Sequence, residues 1–317
     1  MGSIWRGGWG GRGVTRSRCW WGLGLALALT ACQTVPPVVP VAPPPVVAPE
    51  PPPAPKPVPR LPRIGLALGG GAARGFAHIG VIEVLEEAGI RPDLVVGTSA
   101  GSLIAALLAD GKTGPEMAGL ARTMDEGTLT DWAFPTRGAI RGQALARYVR
   151  AQVSVRNIEQ TRLPLGIVAT DLDSGEAVLF RRGDIGTAVR ASSAVPAVFE
   201  PVRIGSREYV DGGLVAPVPV HFAREMGAEF VIAVDISSPP AGNPTGDVMD
   251  MLLQTFAIMG QTLNGWELRS ADVVVRPAMA GLSSADFTAR QRAIRAGREA
   301  ALRVLPALKA RLAAAMR

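Results

Sequence analysis

The chain has 317 residues, 48% of them hydrophobic and 5% aromatic, with a formal charge of +6. That length suits one large or two small domains and supplies ample apolar material for a core. Arg6, Arg12, Arg16 and Arg18 all fall in the first 31 residues, which hold no acid; the remainder carries only +2 and no basic block interleaved with aromatics, so a nucleic-acid partner is not expected.

Residues 1–31 read as a lipoprotein signal peptide. An arginine-bearing start leads into the apolar run Trp20 to Leu29, too short to span a bilayer, for which about 20 residues are needed. Leu29-Thr30-Ala31-Cys32 resembles the bacterial lipobox, in which small residues precede a cysteine that is acylated and becomes the new N-terminus. The plainer alternative is an ordinary signal peptide with a chance cysteine. The other cysteine, Cys19, lies in the segment to be removed, so the mature chain has no disulfide to form. Gln33 in place of an aspartate favours, by resemblance to Gram-negative lipoproteins, an outer-membrane anchor with the domain facing the periplasm. Residues 32–62 form the lipidated cysteine and a tether. From Pro36 to Pro62, 14 of 27 residues are proline. Such a stretch favours extended polyproline II, and at ~3.1 Å per residue it reaches roughly 80 Å. It is read as a spacer and not as a recognition motif.

The folded domain is expected over residues 63–317, with its core motifs in 64–235. A buried strand, Ile64 to Leu68, runs into Gly69-Gly70-Gly71-Ala72-Ala73-Arg74-Gly75. Helical spacing follows from Phe76 to Glu87 and stops at Gly89. The next strand, Leu94 to Val96, feeds Gly97-Thr98-Ser99-Ala100-Gly101, and an alanine-rich segment continues to Ala109. Strand, G-x-S-x-G turn and helix in that order form a nucleophile elbow, which lifts a serine hydroxyl off a strand end. Further strands are predicted at Leu165 to Ala169, Ala177 to Phe180, Tyr209-Val210, Phe230 to Asp235 and Val273 to Val275. Helices are predicted at Gln143 to Gln152, Val218 to Met226, Val248 to Leu268 and Asp286 to Leu305. This alternation, with near-continuous apolar strands, argues for an α/β fold whose mainly parallel sheet is covered on both faces.

The glycine loop does not fit a dinucleotide fingerprint, whose last glycine position is Arg74 here, and it lacks the Gly-Lys-Ser/Thr of a phosphate-cradling loop. What remains is an oxyanion hole, backbone N–H groups that receive developing negative charge. Asp211, in Tyr209-Val210-Asp211-Gly212-Gly213, is the first candidate base for Ser99, with Asp171, Asp173 and Asp235 as rivals. A triad would need His78 or His221, each more simply read as a structural histidine. The run Ala191 to Pro201 looks like a packed loop walling a site. From the residues alone the choice among the acids stays open.

Together the glycine loop with Arg74-Gly75, the serine elbow, the Ala-Ser-x-x-x-Pro-x-x-Phe run and Asp211-Gly212-Gly213 resemble, in order, the patatin-like phospholipase family. The resemblance covers roughly Ile64 to Asp235. It implies a three-layer α/β/α sandwich and lipid acyl-ester hydrolysis without metal or cofactor. It also implies Ser99 as nucleophile and Asp211 as general base, flanked by Gly97 and Gly101. Oxyanion donors are implied at Gly70, Gly71 and Ala72, with Arg74 supporting the loop. Ala72 stands where many members have a third glycine; its N–H is expected to donate only if φ stays negative. The implied partners are a lipid acyl ester and, through Cys32, a membrane. A lipoprotein scaffold with an idle hydrolase fold is the reading from another class. The methionine-rich stretch Val248 to Leu268 reads as a core helix or, failing that, as a lid or membrane-facing surface.

Overall fold

The computed structural model describes residues 60–124, 131, 137–237, 239–243, 245–279, 281–282 and 286–316. The chain divides into two units, Met1–Pro55 and Lys56–Arg317, and the described residues all belong to the second. The signal segment, Cys32 and nearly all of the proline tether therefore lie outside them.

In chain order the elements begin with β1 (Ile64–Leu68), a 3-10 turn at Ala72–Phe76, α1 (Ala77–Glu87), β2 (Leu94–Thr98), α2 (Ala100–Asp110) and α3 (Gly114–Thr123). β3 (Gly138–Ile140), α4 (Gln143–Gln152), β4 (Leu165–Asp171), β5 (Ala177–Phe180) and α5 (Ile185–Ser192) come next. β6 (Ala197–Phe199), β7 (Val202–Ile204), β8 (Arg207–Asp211), α6 (Val220–Glu225), β9 (Phe230–Val234), α7 (Val248–Glu267), β10 (Val273–Val275) and α8 (Arg290–Ala314) complete the domain. The main sheet runs β10-β9-β1-β2-β4-β8-β7, with β5 also paired to β4; β3 and β6 form a small sheet of their own. β10, β9, β1, β2 and β4 are mutually parallel, while β5 and β8 run antiparallel to β4.

Strand residues alternate between two cores, as a pleat covered on both sides requires. Leu66, Leu68, Phe230 and Ile232 face a core built with α1, α2 and α8. Ala67, Val96, Val231 and Ala233 face the other, closed by Val220, Phe222 and Ala223 of α6. This is the expected three-layer sandwich with a mainly parallel sheet.

α1 and α8 cross in close contact. A Cβ added at Gly297 would sit 1.9 Å from the Ala77 carbonyl oxygen, and one at Gly80 would sit 2.0 Å from that of Ile294. α8 also outruns the helix predicted to end at Leu305, passing through Pro306. An interior proline costs about 3 kcal/mol. Beyond it, Leu308 and Leu312 are buried in the core, worth about 1.5–3 kcal/mol each, which offsets that loss.

The stretch at 248–268 does form one long helix, but the expectation of a core helix is corrected. Among the residues of α7 only Asn264 is fully buried. The apolar pattern misled because both sheet faces are already covered by other helices. α7 instead packs along the Gly212–Leu214 turn that follows β8.

Candidate active site

The register of β4 assembles the site. Thr98, the last residue of β2, lies opposite Val168, and Asp211, the last of β8, lies opposite Ala169. β5 occupies the other edge of β4 at Ala169 and Thr170, so β8 takes over the edge that β2 leaves. The two strand ends therefore meet, and the Ser99 hydroxyl donates to Asp211 Oδ2 at 2.6 Å. Both residues are buried, at 9% and 6% exposure.

Ser99 has φ 53° and ψ −125°, a left-handed conformation that costs a non-glycine residue about 1–3 kcal/mol. Its surroundings hold it there. The Ser99 N–H donates to Ser192 Oγ at 2.8 Å, and that hydroxyl donates on to the Val168 carbonyl. Ser102 Oγ donates to the Ser99 carbonyl at 2.6 Å. The flanking glycines are needed for room: a Cβ at Gly97 would lie 2.3 Å from the Gly101 oxygen, and one at Gly101 would lie 2.2 Å from the Leu68 oxygen. The positive end of the α2 dipole lies beside the hydroxyl.

Asp211 is fixed as firmly. Its Oδ1 accepts from the Gly213 N–H at 2.6 Å, its N–H donates to the Ala194 carbonyl, and its own carbonyl accepts from Thr170 Oγ1. Burial pushes its carboxyl up to about 6, against the opposing pull of the Ser99 and Gly213 hydrogen bonds. A carboxylate so raised is a far better proton acceptor than a solvated aspartate.

The glycine loop abuts the serine: a Cβ at Gly70 would stand 3.1 Å from that of Ser99. The three donors implied for the oxyanion hole, Gly70, Gly71 and Ala72, are not equivalent, however. The Gly70 N–H is committed to the Pro217 carbonyl at 2.9 Å, and the Arg74 N–H to the Gly71 carbonyl at 3.1 Å. The N–H groups of Gly71 and Ala72 donate to nothing among the described residues, so these two are the free donors. Ala72 has φ 49°, so the expectation that its N–H donates only at negative φ is corrected: φ is positive and the N–H is still left unbonded. Gly71 before it has no room for a side chain, since a Cβ there would lie 2.9 Å from the Ile236 carbonyl oxygen. Arg74, buried and with its pKa lowered by that burial, reaches the Gly71 carbonyl through Nε at 3.4 Å.

The rival residues go elsewhere. His78 is buried beneath the loop, its Nε2–H donating to the Gly69 carbonyl at 2.8 Å, and burial pushes its pKa down to about 4. His221 is half exposed and pairs with Glu267. Asp171 is bridged to Arg207 at 2.6 Å and held below its ordinary pKa by that contact. Asp173 lies in the exposed turn after it, and Asp235 pairs with Arg276 and Ser237. Among the described residues no group of three or more His, Cys, Asp or Glu is placed to hold a metal ion. A cleft of about 740 Å³ around Leu165, Phe180 and Arg182 lies at the far end of β4, away from Ser99.

Ser192 is the site residue that sequence reasoning did not single out. It sits in the run 191–201 that was read as a wall, and that run does touch both partners, through Ser192 to Ser99 and through Ala194 to Asp211. Its place as the serine of the Ala-Ser-x-x-x-Pro-x-x-Phe run was the available signal.

A hydroxyl held in this way makes the molecule an α/β protein that presents a serine–aspartate pair at the C-terminal edge of its parallel strands. The chain belongs to the patatin-like phospholipase family, whose family model matches residues 66–224. An uncharacterized NTE family protein of Mycobacterium tuberculosis is 38% identical over 184 residues, covering 57% of this chain and 51% of that protein. Patatin-like phospholipase domain-containing protein 6 of Mus musculus is 34% identical over 235 residues, 70% of this chain but 16% of that one. The chain thus spans about half the length of the mycobacterial relative. Among solved structures, VipD from Legionella pneumophila shares the fold, with a TM-score of 0.52 at 15% identity, over 78% of this chain and 67% of that one.

Proposed function

We propose that the protein is a serine acyl hydrolase of lipid esters, working through a Ser99–Asp211 dyad and anchored to a membrane by acylated Cys32. The observation that carries the catalytic part is the 2.6 Å hydrogen bond from the Ser99 hydroxyl to a buried carboxylate with a raised pKa. Asp211 takes the Ser99 proton as Oγ attacks the ester carbonyl. The carbonyl oxygen becomes an oxyanion that the Gly71 and Ala72 N–H groups are free to receive. The tetrahedral intermediate collapses, and the alcohol leaves with the proton from Asp211. Water then attacks the acyl-serine, again giving its proton to Asp211, and the fatty acid departs as Ser99 is restored. Glycerophospholipids and lysophospholipids are the proposed substrates.

The base must be ionised, so kcat/KM should rise with pH and level off above an apparent pKa near 6, falling about tenfold per pH unit below it. A rate that stays flat between pH 5 and 8 would remove Asp211 from this role. A dyad also leaves the histidines dispensable. His221→Ala and His78→Ala are expected to stay within about tenfold of the parent, far short of the roughly 100- to 10,000-fold that a lost general base costs. A folded His221→Ala protein as inert as Ser99→Ala would demote Asp211 to orienting a histidine.

The idle-scaffold reading is separated by a fluorophosphonate probe: labelling at Ser99 supports the enzyme, and silence in folded protein supports the scaffold. The anchor rests on the lipobox-like Leu29 to Cys32 and the proline tether. Cys32→Ala should leave the chain unlipidated, so that a carbonate wash, which strips a helix merely lying on the surface, releases it from the membrane fraction. Retention through a carbonate wash would move the anchor elsewhere in the chain.

A further inference from the structure

We infer that the outward face of α7 is where the folded domain settles onto a lipid layer, with the helix lying along the surface beside the Ser99–Asp211 site. The inference rests on the proposed lipid hydrolysis.

Met251, Ile258, Met259 and Trp266 stand at i, i+7, i+8 and i+15, one face of a helix. All four are exposed, Ile258 at 51% and Trp266 at 68%. From Met251 to Trp266 the sequence holds no charged residue at all. The nearby acids are engaged at the ends: Asp247 caps the helix, Asp250 accepts from the Gly246 N–H, and Glu267 is bound to His221. Trp266 carries the Arg269 guanidinium over its ring at 4.5 Å. An aromatic ring with a cation at its rim suits the boundary between acyl chains and head groups.

Position selects a lipid occupant. α7 packs on Gly212–Leu214, the turn directly after Asp211. At Gly260 its backbone passes Pro217, whose carbonyl holds the Gly70 N–H of the glycine loop. One helix thus touches the supports of both halves of the dyad site. No described helix is long and apolar enough to cross a membrane, so α7 would lie in the interface, sunk ~5–10 Å at its apolar face.

The test uses the full chain with Cys32→Ala, which removes the acyl anchor, and Ser99→Ala, which keeps vesicles intact. Sedimentation with vesicles of phosphatidylethanolamine and phosphatidylglycerol is compared with and without Ile258→Glu and Met259→Glu, two exposed changes that circular dichroism should show to be folded. Vesicle affinity should fall about tenfold or more, because each glutamate puts a charge where an apolar side chain would insert. With Ser99 restored, hydrolysis of vesicle lipid should fall in parallel, while a monomeric short-chain ester is cut within about twofold of the parent. Undiminished sedimentation of the glutamate variant would overturn the inference. So would a parent protein that is dimeric and becomes monomeric with the two glutamates, since a second copy would then be the occupant. If no ester is cleaved but vesicle binding still depends on Ile258 and Met259, the docking face stands and the hydrolase reading fails.

Discussion

Ser99→Ala should lower lipid-ester hydrolysis by about 10,000-fold or more, and Asp211→Asn by about 100- to 10,000-fold. The second variant carries a further expectation. Asparagine keeps an oxygen for the Gly213 N–H and turns its NH2 toward the Ser99 hydroxyl, so the fold has no reason to fail. What it removes is a buried charge. The Asp211 carboxyl rises from 3.8 to about 6 on folding, which corresponds to about 3 kcal/mol. A raised carboxyl favours the folded state fully below its unfolded pKa and loses that contribution as pH climbs through about 6. At pH 7.5 the wild type therefore bears the cost of an ionised Asp211, and the asparagine variant does not. Asp211→Asn should melt higher than the parent at pH 7.5, with the gap closing toward pH 4. A variant that melts lower at pH 7.5 would mean that the carboxylate is stabilised by its partners more than burial penalises it.

Gly297→Val should be the most damaging substitution away from the site. Its side chain would have to occupy space 1.9 Å from the Ala77 oxygen and 2.7 Å from the Ala77 carbonyl carbon, all backbone that cannot rotate away. Separating α1 from α8 costs about 3 kcal/mol or more by overpacking, roughly 10 °C in melting temperature for a domain of this size. Because α1 begins directly after the turn holding Gly71 and Ala72, activity should decline even in the fraction that folds. α8 lies beyond the segment 66–224 that the family model matches. A Gly297→Val protein with unchanged melting would show that the C-terminal helix is only loosely applied.

Most strands of the main sheet were legible as short apolar runs, although β7 was not predicted and β8 only in part: β1, β5 and β10 have the predicted limits, and β2 and β4 are longer only by polar or glycine residues at their ends. α3 was missed since its apolar positions are small or few, although Pro115 in the first turn and the capping box of Thr113 and Glu116 spell its start. α5 was hidden in the same way behind its cap, Asp184. The glycine loop, the serine and Asp211 were each visible as local motifs. Their meeting was not, because it depends on how β8 registers on β4. Which oxyanion donors are free could not be read either, since Gly70 is disqualified by Pro217, far along the chain. α7 failed for a different reason: apolar content announces a surface to be covered but not what covers it.

The edge-sharing of β2 and β8 along β4 has a consequence in time as well as in space. Ser99 and Asp211 are 112 residues apart and belong to strands that never pair with each other. Neither the relaxed serine of an unfolded chain nor the solvated aspartate, near its ordinary 3.8, has the reactivity that the folded register would give them. A chain still being made, threaded or cleared by a protease is therefore inert toward any lipid it meets. Reactivity would switch on only once β8 has paired with β4, so that this pairing itself serves as the activation step.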